Sequence, residues 1–358
     1  MENIERIDVV PGMARFVKYN GLAYFTGHSA RPEFKTMEEQ ATAVLARYDE
    51  LFELNGLKKE NIVLMNAYVA DIDLVGVFNK AFAKWCGNTV APAGVAVEAK
   101  PMSDGNLLEV QFYVACDESK KAEFVDVVPG MARFVKYDGV AYFTGHSARP
   151  GAYKTLREQT EAVLARYDEL FAIHGLKKEN ILVSNAYLAD ITEAKEFTEP
   201  FVKWLGGVAP AGIAVEAQPM GKEEGNKLEL QFFVACDDSK KIERIDCVPG
   251  MARVVKYNGV AYWTGHSARP GFATAADQAN ALMPRYKELF DKTGLKVENI
   301  LTMTSYNQDI NEVGEARPAM REFYNGVAPA GVAVEAQPMG KEEGNKMEIV
   351  FYVACEED

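Results

Sequence analysis

Across residues 15–116 the hydrophobic positions alternate between short β-type runs and helical stripes. In "RFVKYNGLAYFTG" two β-rich runs flank Asn20-Gly21, a pair that tolerates positive φ and predicts a hairpin with a type I′ turn. "TMEEQATAVLARYDELFELNG" then carries apolar residues at Val44, Leu45, Tyr48, Leu51 and Phe52. Thr36 and Glu39 form a capping box ahead of that stripe and Gly56 ends it, so an amphipathic helix is expected. "NIVLMNAYVAD" predicts a strand, "LVGVFNKAFAKW" a shorter helix, and "AGVAVEA" and "LLEVQFYVAC" two more strands.

Strand alternation assigns faces. Leu108, Val110, Phe112 and Val114 are expected on the helix side, with Glu109, Gln111 and Tyr113 opposite. In the preceding strand Val95 and Val97 are expected toward the helices, and Gly94, Ala96 and Glu98 away from them. The second face, which Asn66 and Tyr68 join, is polar yet aromatic, and suits closure against another sheet of the same kind.

Such sheets are supplied by the chain itself. "GHSARP" recurs with His28, His146 and His266, which lie 118 and 120 residues apart, and Cys116, Cys236 and Cys355 repeat at 120 and 119. A domain-sized period divides the 358 residues into three homologous units, 1–118, 119–238 and 239–358. The expected fold class is α+β, with three tandem units forming a pseudo-threefold trimer, a central sheet barrel inside and helices outside.

Composition narrows the partners. A formal charge of −13 with no Lys/Arg run argues against nucleic acid, and the absence of a bilayer-length apolar stretch argues against membrane insertion. The charged start "MENIERIDVV" is unlike a signal peptide, so a cytoplasmic location is expected, and the sparse cysteines are read as reduced thiols. No CxxC or HExxH spacing suggests a metal. His174 is read as a surface residue, and Trp85 and Trp204 as core.

The succession "YFTG", "NAYVADI", "APAGVAVEA" with its following "PM", and "LEVQFYVAC" resembles the RidA/YjgF/YER057c/UK114 family, and every unit carries it end to end. That resemblance implies a chorismate-mutase-like fold, a trimeric arrangement with ligand clefts between units, and a cofactor-free hydrolysis of reactive enamines or imines, such as 2-aminoacrylate, to keto acid and ammonia. It also implies an arginine that grips the substrate carboxylate on the strand after "PA", where this chain has Gly94, Gly212 and Gly331. The substitution predicts slow turnover of 2-aminoacrylate. The family's carboxylate on the last strand corresponds to Gln111, Gln231 and Val350, and an asparagine of its second helix to Asn79, Thr198 and Arg317.

The polar set that remains is specific to this chain. His28, His146 and His266 are the candidate catalytic groups, since imidazole transfers protons near neutral pH. Arg15, Arg133 and Arg253, with Arg31, Arg149 and Arg269, are candidate anion anchors. Glu98, Glu216 and Glu335, with Glu109, Glu229 and Glu348, either orient a ligand or water, or form a structural polar network. The histidines equally suit loop caps, and Arg15 a pairing with a neighbouring carboxylate. Two classes stay open: an enzyme acting on a small anionic or imine-type metabolite, and a binding or scaffold protein without turnover. In both, the expected assembly is one chain mimicking a homotrimer, with no cofactor.

Overall fold

The computed structural model describes residues 3–87, 89–149, 151–268 and 270–356. Its architecture is mixed α+β and repeats one unit three times. In the first unit β1 (Glu5–Ile7), β2 (Phe16–Tyr19), β3 (Leu22–Phe25) and β4 (His28–Ser29) precede α1 (Met37–Asn55). There follow β5 (Ile62–Val69), α2 (Val75–Cys86), β6 (Ala93–Glu98), β7 (Lys100–Pro101) and β8 (Leu108–Ala115). The corresponding long and short helices are α3 (Leu156–His174) and α4 (Ala194–Leu205) in the second unit, and α5 (Ala275–Thr293) and α6 (Val313–Tyr324) in the third.

Local chemistry accounts for these boundaries. Asn20 and Gly21 take φ of 48° and 76°, the paired left-handed conformation that a type I′ hairpin needs. At α1 the Glu39 amide donates to the Thr36 hydroxyl while the Glu39 carboxylate accepts from the Thr36 amide at 2.9 Å. Gly56 closes the helix in the left-handed region.

The main sheet of the first unit has the order β1-β2-β3-β8-β5-β6, with β5 and β6 parallel and β8 antiparallel to β5. Helices cover one face, where Leu108, Val110, Phe112 and Val114 pack on Tyr48, Leu51, Phe52 and Phe78. The other face joins a core shared by all three units, containing Tyr24, Tyr113, Tyr142, Phe233, Tyr262 and Tyr352. One tyrosine from each unit meets there, Tyr306 hydrogen-bonding both Tyr68 and Tyr187. Each sheet is extended at its edge by two residues of another unit: Gln218–Pro219 on β6, Gln337–Pro338 on Ala211–Glu216, and β7 on Ala330–Glu335.

One face assignment differs from the sequence reading. Val95 and Val97 lie in the shared core and Ala96 lies against the helices, the reverse of the expectation for β6. Register is the reason: β6 runs parallel to β5 with Val97 beside Tyr68 and Ala96 beside Ala67, so it inherits the facing of β5. His174 also departs from its surface reading. It is half-buried, edge-on to Phe134 and 3.6 Å from Asp126. Trp85 and Trp204 pack against the helix-side cores, with indole N–H groups donating to Asp49 and Asp168.

Candidate functional site at the junctions between units

Three junctions repeat the same backbone contact. The Gly27 amide donates to the Gly331 carbonyl at 3.0 Å, the Gly331 amide to the Thr26 hydroxyl at 3.0 Å, and the Ala14 amide to the Pro329 carbonyl at 3.0 Å. Thr144 and Gly145 bind Gly94 in this way, and Thr264 and Gly265 bind Gly212. The Thr-Gly before each histidine and the Pro-Ala-Gly before each fourth-strand valine or isoleucine therefore form a backbone seam between units. At about 1 kcal/mol net per hydrogen bond, the three bonds stabilise a junction by about 3 kcal/mol.

Both glycines of the seam are sterically required at two junctions. A Cβ on Gly94 would overlap the Met65 carbonyl, and one on Gly212 the Ser184 carbonyl. Gly331 has room, its nearest neighbours being Met303 Cε at 3.6 Å and the Met303 carbonyl at 3.7 Å. On the other side of the seam a Cβ at Gly27, Gly145 or Gly265 would strike the carboxyl of Glu109, Glu229 or Glu348. These glutamates thus lie over bare glycine backbone.

Clefts open beside the seam. Between the first and second units a cleft of about 570 Å³ is lined by Gly94, Ala96, Asn79, Gly145, Ser147 and Glu229, among others. Between the third and first units one of about 500 Å³ is lined by residues including Gly331, Ala333, Arg317, Gly27, Ser29 and Glu109. Glu109 is 6% exposed, and burial pushes its carboxyl up to about 8; Glu229 and Glu348 are raised to the same level by burial, the latter opposed by a hydrogen bond from Ser267. A carboxyl of this kind holds a proton near neutrality and releases it close to that range.

The histidines sit elsewhere. β4 pairs with β8 so that Ser29 lies beside Glu109 and His28 beside Val110, which turns the imidazole to the helix side. There it stacks on Tyr48 with centroids 5.0 Å apart, and its Nε2 has no partner among the described residues. Burial lowers His28 to about 4, helped by Arg15 and Arg47; burial with nearby arginines lowers His146 and His266 to about 3. The three imidazoles are neutral at pH 7. Neither cleft is lined by His28 or His146, and the side chain that faces a cleft from "GHS" is the serine.

The candidate arginines and the remaining glutamates are also dispersed. Arg15 Nε lies 3.8 Å from Asp8, Arg133 2.9 Å from Asp126, and Arg253 2.9 Å from Asp246, with Arg253 also 3.0 Å from His266 Nε2. Arg31 and Arg149 are exposed, and Arg269 lies outside the described residues. Glu98, Glu216 and Glu335 accept the backbone amides of Ile72, Ile191 and Ile310 at 3.0 to 3.1 Å, fixing the turn before each short helix. Lys222 and Lys341 reach Glu98 and Glu216 across the junction, at 3.9 and 3.1 Å.

Sequence reasoning missed Ser29, Arg321 and Tyr324 as cleft residues. The serine directly follows the histidine of the same motif, and strand alternation puts the two side chains on opposite faces. Arg321 follows Arg317 by four residues on a predicted helix, which was the available signal.

Comparison with known proteins agrees with this organisation. The Endoribonuclease L-PSP family profile matches residues 4–116, 127–236 and 242–355. A RutC family protein of Haemophilus ducreyi is 31% identical over 97 residues, covering 27% of this chain and 83% of its own length. The RutC family protein YoaB of Escherichia coli is 28% identical over 112 residues, covering 31% and 97%. A solved chorismatase shares the fold at 11% identity with a TM-score of 0.54, covering 83% of this chain and 94% of its own. The chain belongs to the Endoribonuclease L-PSP (RutC/YjgF) family and carries three copies of the family's unit in one polypeptide.

Proposed function

We propose that the chain is a fused trimer that binds small reactive metabolites of imine or enamine type in its inter-unit clefts and hydrolyses them without a cofactor. The observation that carries this reading is the buried carboxyl of Glu109, Glu229 and Glu348, pushed up to about 8 and set over glycine backbone where two units join. In an enamine the protonated carboxyl donates to carbon, giving the iminium ion and leaving the carboxylate. Water then adds to the C=N carbon, its proton passing to the carboxylate, and in the neutral adduct the hydroxyl proton moves to nitrogen as the C–N bond breaks, leaving a carbonyl compound and ammonia. A pKa near the working pH suits a group that must both give and take this proton. The cyclic edge pairing and the shared tyrosine core support a pseudo-threefold barrel with helices outside, and a single chain as the unit in solution.

The test is ammonia release from 2-imino acids generated in situ by an amino-acid oxidase. The triple variant Glu109→Gln/Glu229→Gln/Glu348→Gln is expected to lose at least about 100-fold in rate while still binding ligand. An undiminished rate counts against the reading. A second reading, binding without turnover, is favoured by Gly94 and Gly212, where the backbone leaves no room for a carboxylate-gripping side chain. It predicts ligand binding with no ammonia release above background in the native chain.

A further inference from the structure

The two clefts lie beside the same backbone seam and have different walls. At the position of Asn79 in α2 and Thr198 in α4, α6 has Arg317; where those helices have Ala83 and Val202, it has Arg321. An i,i+4 pair shares one helix face, and both arginines line the cleft between the third and first units. Arg317 reaches across that cleft to the Met102 sulfur at 3.3 Å, a weak acceptor that leaves most of the guanidinium donors unused. Among the described residues neither arginine is paired with a carboxylate. In the other junctions the rim lysines Lys222 and Lys341 reach carboxylates, whereas the loop of residues 102–106 is two residues shorter than its counterparts and has no lysine.

The floor of the same cleft differs too. Tyr324 takes the place of Cys86 and Leu205, is 4% exposed and is among the residues lining the cleft, and its buried hydroxyl has no hydrogen-bond partner among the described residues. Ser305 stands where the other units have Ala67 and Ala186. Met303, Met320, Val332 and Met13 supply an apolar wall.

We infer that the cleft between the third and first units is the organic-anion site of the chain, where Arg317 and Arg321 hold the carboxylate of a small ligand whose apolar body lies against Met303 and Met320. The inference rests on the reading of the clefts as ligand sites, and assigns carboxylate binding to the one between the third and first units. Two guanidiniums at one mouth repel each other until an anion bridges them, and each offers a bidentate fork. Glu109 in the same cleft is protonated at neutral pH, so it does not repel the anion. The family position after Pro-Ala is glycine here, and the arginines reach the cleft from the helix instead.

Methionine methyl groups report the two clefts separately. The full chain, labelled at methionine Cε, is titrated with benzoate and 2-oxobutanoate, with benzamide as the neutral control. Saturable shifts are expected at Met102, Met303 and Met320 with one site per chain, and not at Met65, Met131 and Met220. Arg317→Gln/Arg321→Gln should weaken benzoate at least about tenfold, the loss of one charged hydrogen bond or more, and leave the melting temperature unchanged because both residues are exposed. Asn79→Arg should create carboxylate-dependent shifts at Met65 and Met220. Equal shifts in both clefts, or shifts insensitive to the arginine substitutions, overturn the inference while leaving the clefts as ligand sites. Silence at every methyl overturns both readings.

Discussion

Six buried titrating groups give the chain an unusual dependence of stability on pH. Glu109, Glu229 and Glu348 are pushed up to about 8 from an ordinary value of 4.5 by burial, so between those limits the folded state keeps protons that the unfolded chain releases. Stability then falls with rising pH, by about 1.4 kcal/mol per unit for each carboxyl. His28, His146 and His266 act in the opposite sense. Burial lowers them from 6.5 to about 4, 3 and 3, so between those values and 6.5 the unfolded chain binds protons that the folded state refuses, and stability rises with pH. Three groups of each sign oppose one another between about pH 4.5 and 6.5, and the curve there should be nearly flat. From 6.5 to 8 the carboxyls act alone: three groups over 1.5 units cost about 6 kcal/mol. Urea denaturation across pH 5 to 9 measures this directly. In Glu109→Gln/Glu229→Gln/Glu348→Gln the fall above pH 6.5 should vanish and a rise between pH 5 and 6.5 should appear, as the histidines lose their counterweight. A variant that keeps the native fall above pH 6.5 would refute the assignment of protonated carboxyls at the junctions.

The seam glycines should rank by the space around them: Gly94→Ala and Gly212→Ala are expected to destabilise by about 1–3 kcal/mol or more through overlap with a carbonyl, and Gly331→Ala by less than about 1 kcal/mol, as read by urea midpoints. Equal losses at all three would show that the open space beside Gly331 does not matter. Replacing His28, His146 and His266 by Gln should lower the melting temperature, because each ring packs on a helix tyrosine, and leave the pH profile of ammonia release between 6 and 8 unchanged. A changed profile would return the imidazoles to the chemistry.

The sequence by itself determined the elements and their repetition. Asn20-Gly21 demands left-handed backbone, the Thr36–Glu39 box starts a helix and Gly56 stops it, and each of these acts within a few residues of chain. The alternation in β8 was legible for the same reason, and its long apolar side chains named the helix face correctly. Alternation states which residues share a face; what covers that face depends on strands far away in sequence. Hence alternation alone gives β6 the wrong facing: Val95 and Val97 are small enough for either side, and only the parallel pairing with β5 sends them to the shared core. The same limit hides the candidate site. Gly27 meets Gly331 across some three hundred residues, and Glu109 becomes a buried acid only once that seam closes. His28 looked chemical because imidazole titrates near neutrality in water. The pairing of β4 with β8 put it on the helix side against Tyr48, where burial keeps it neutral, and put Ser29 in the cleft in its place.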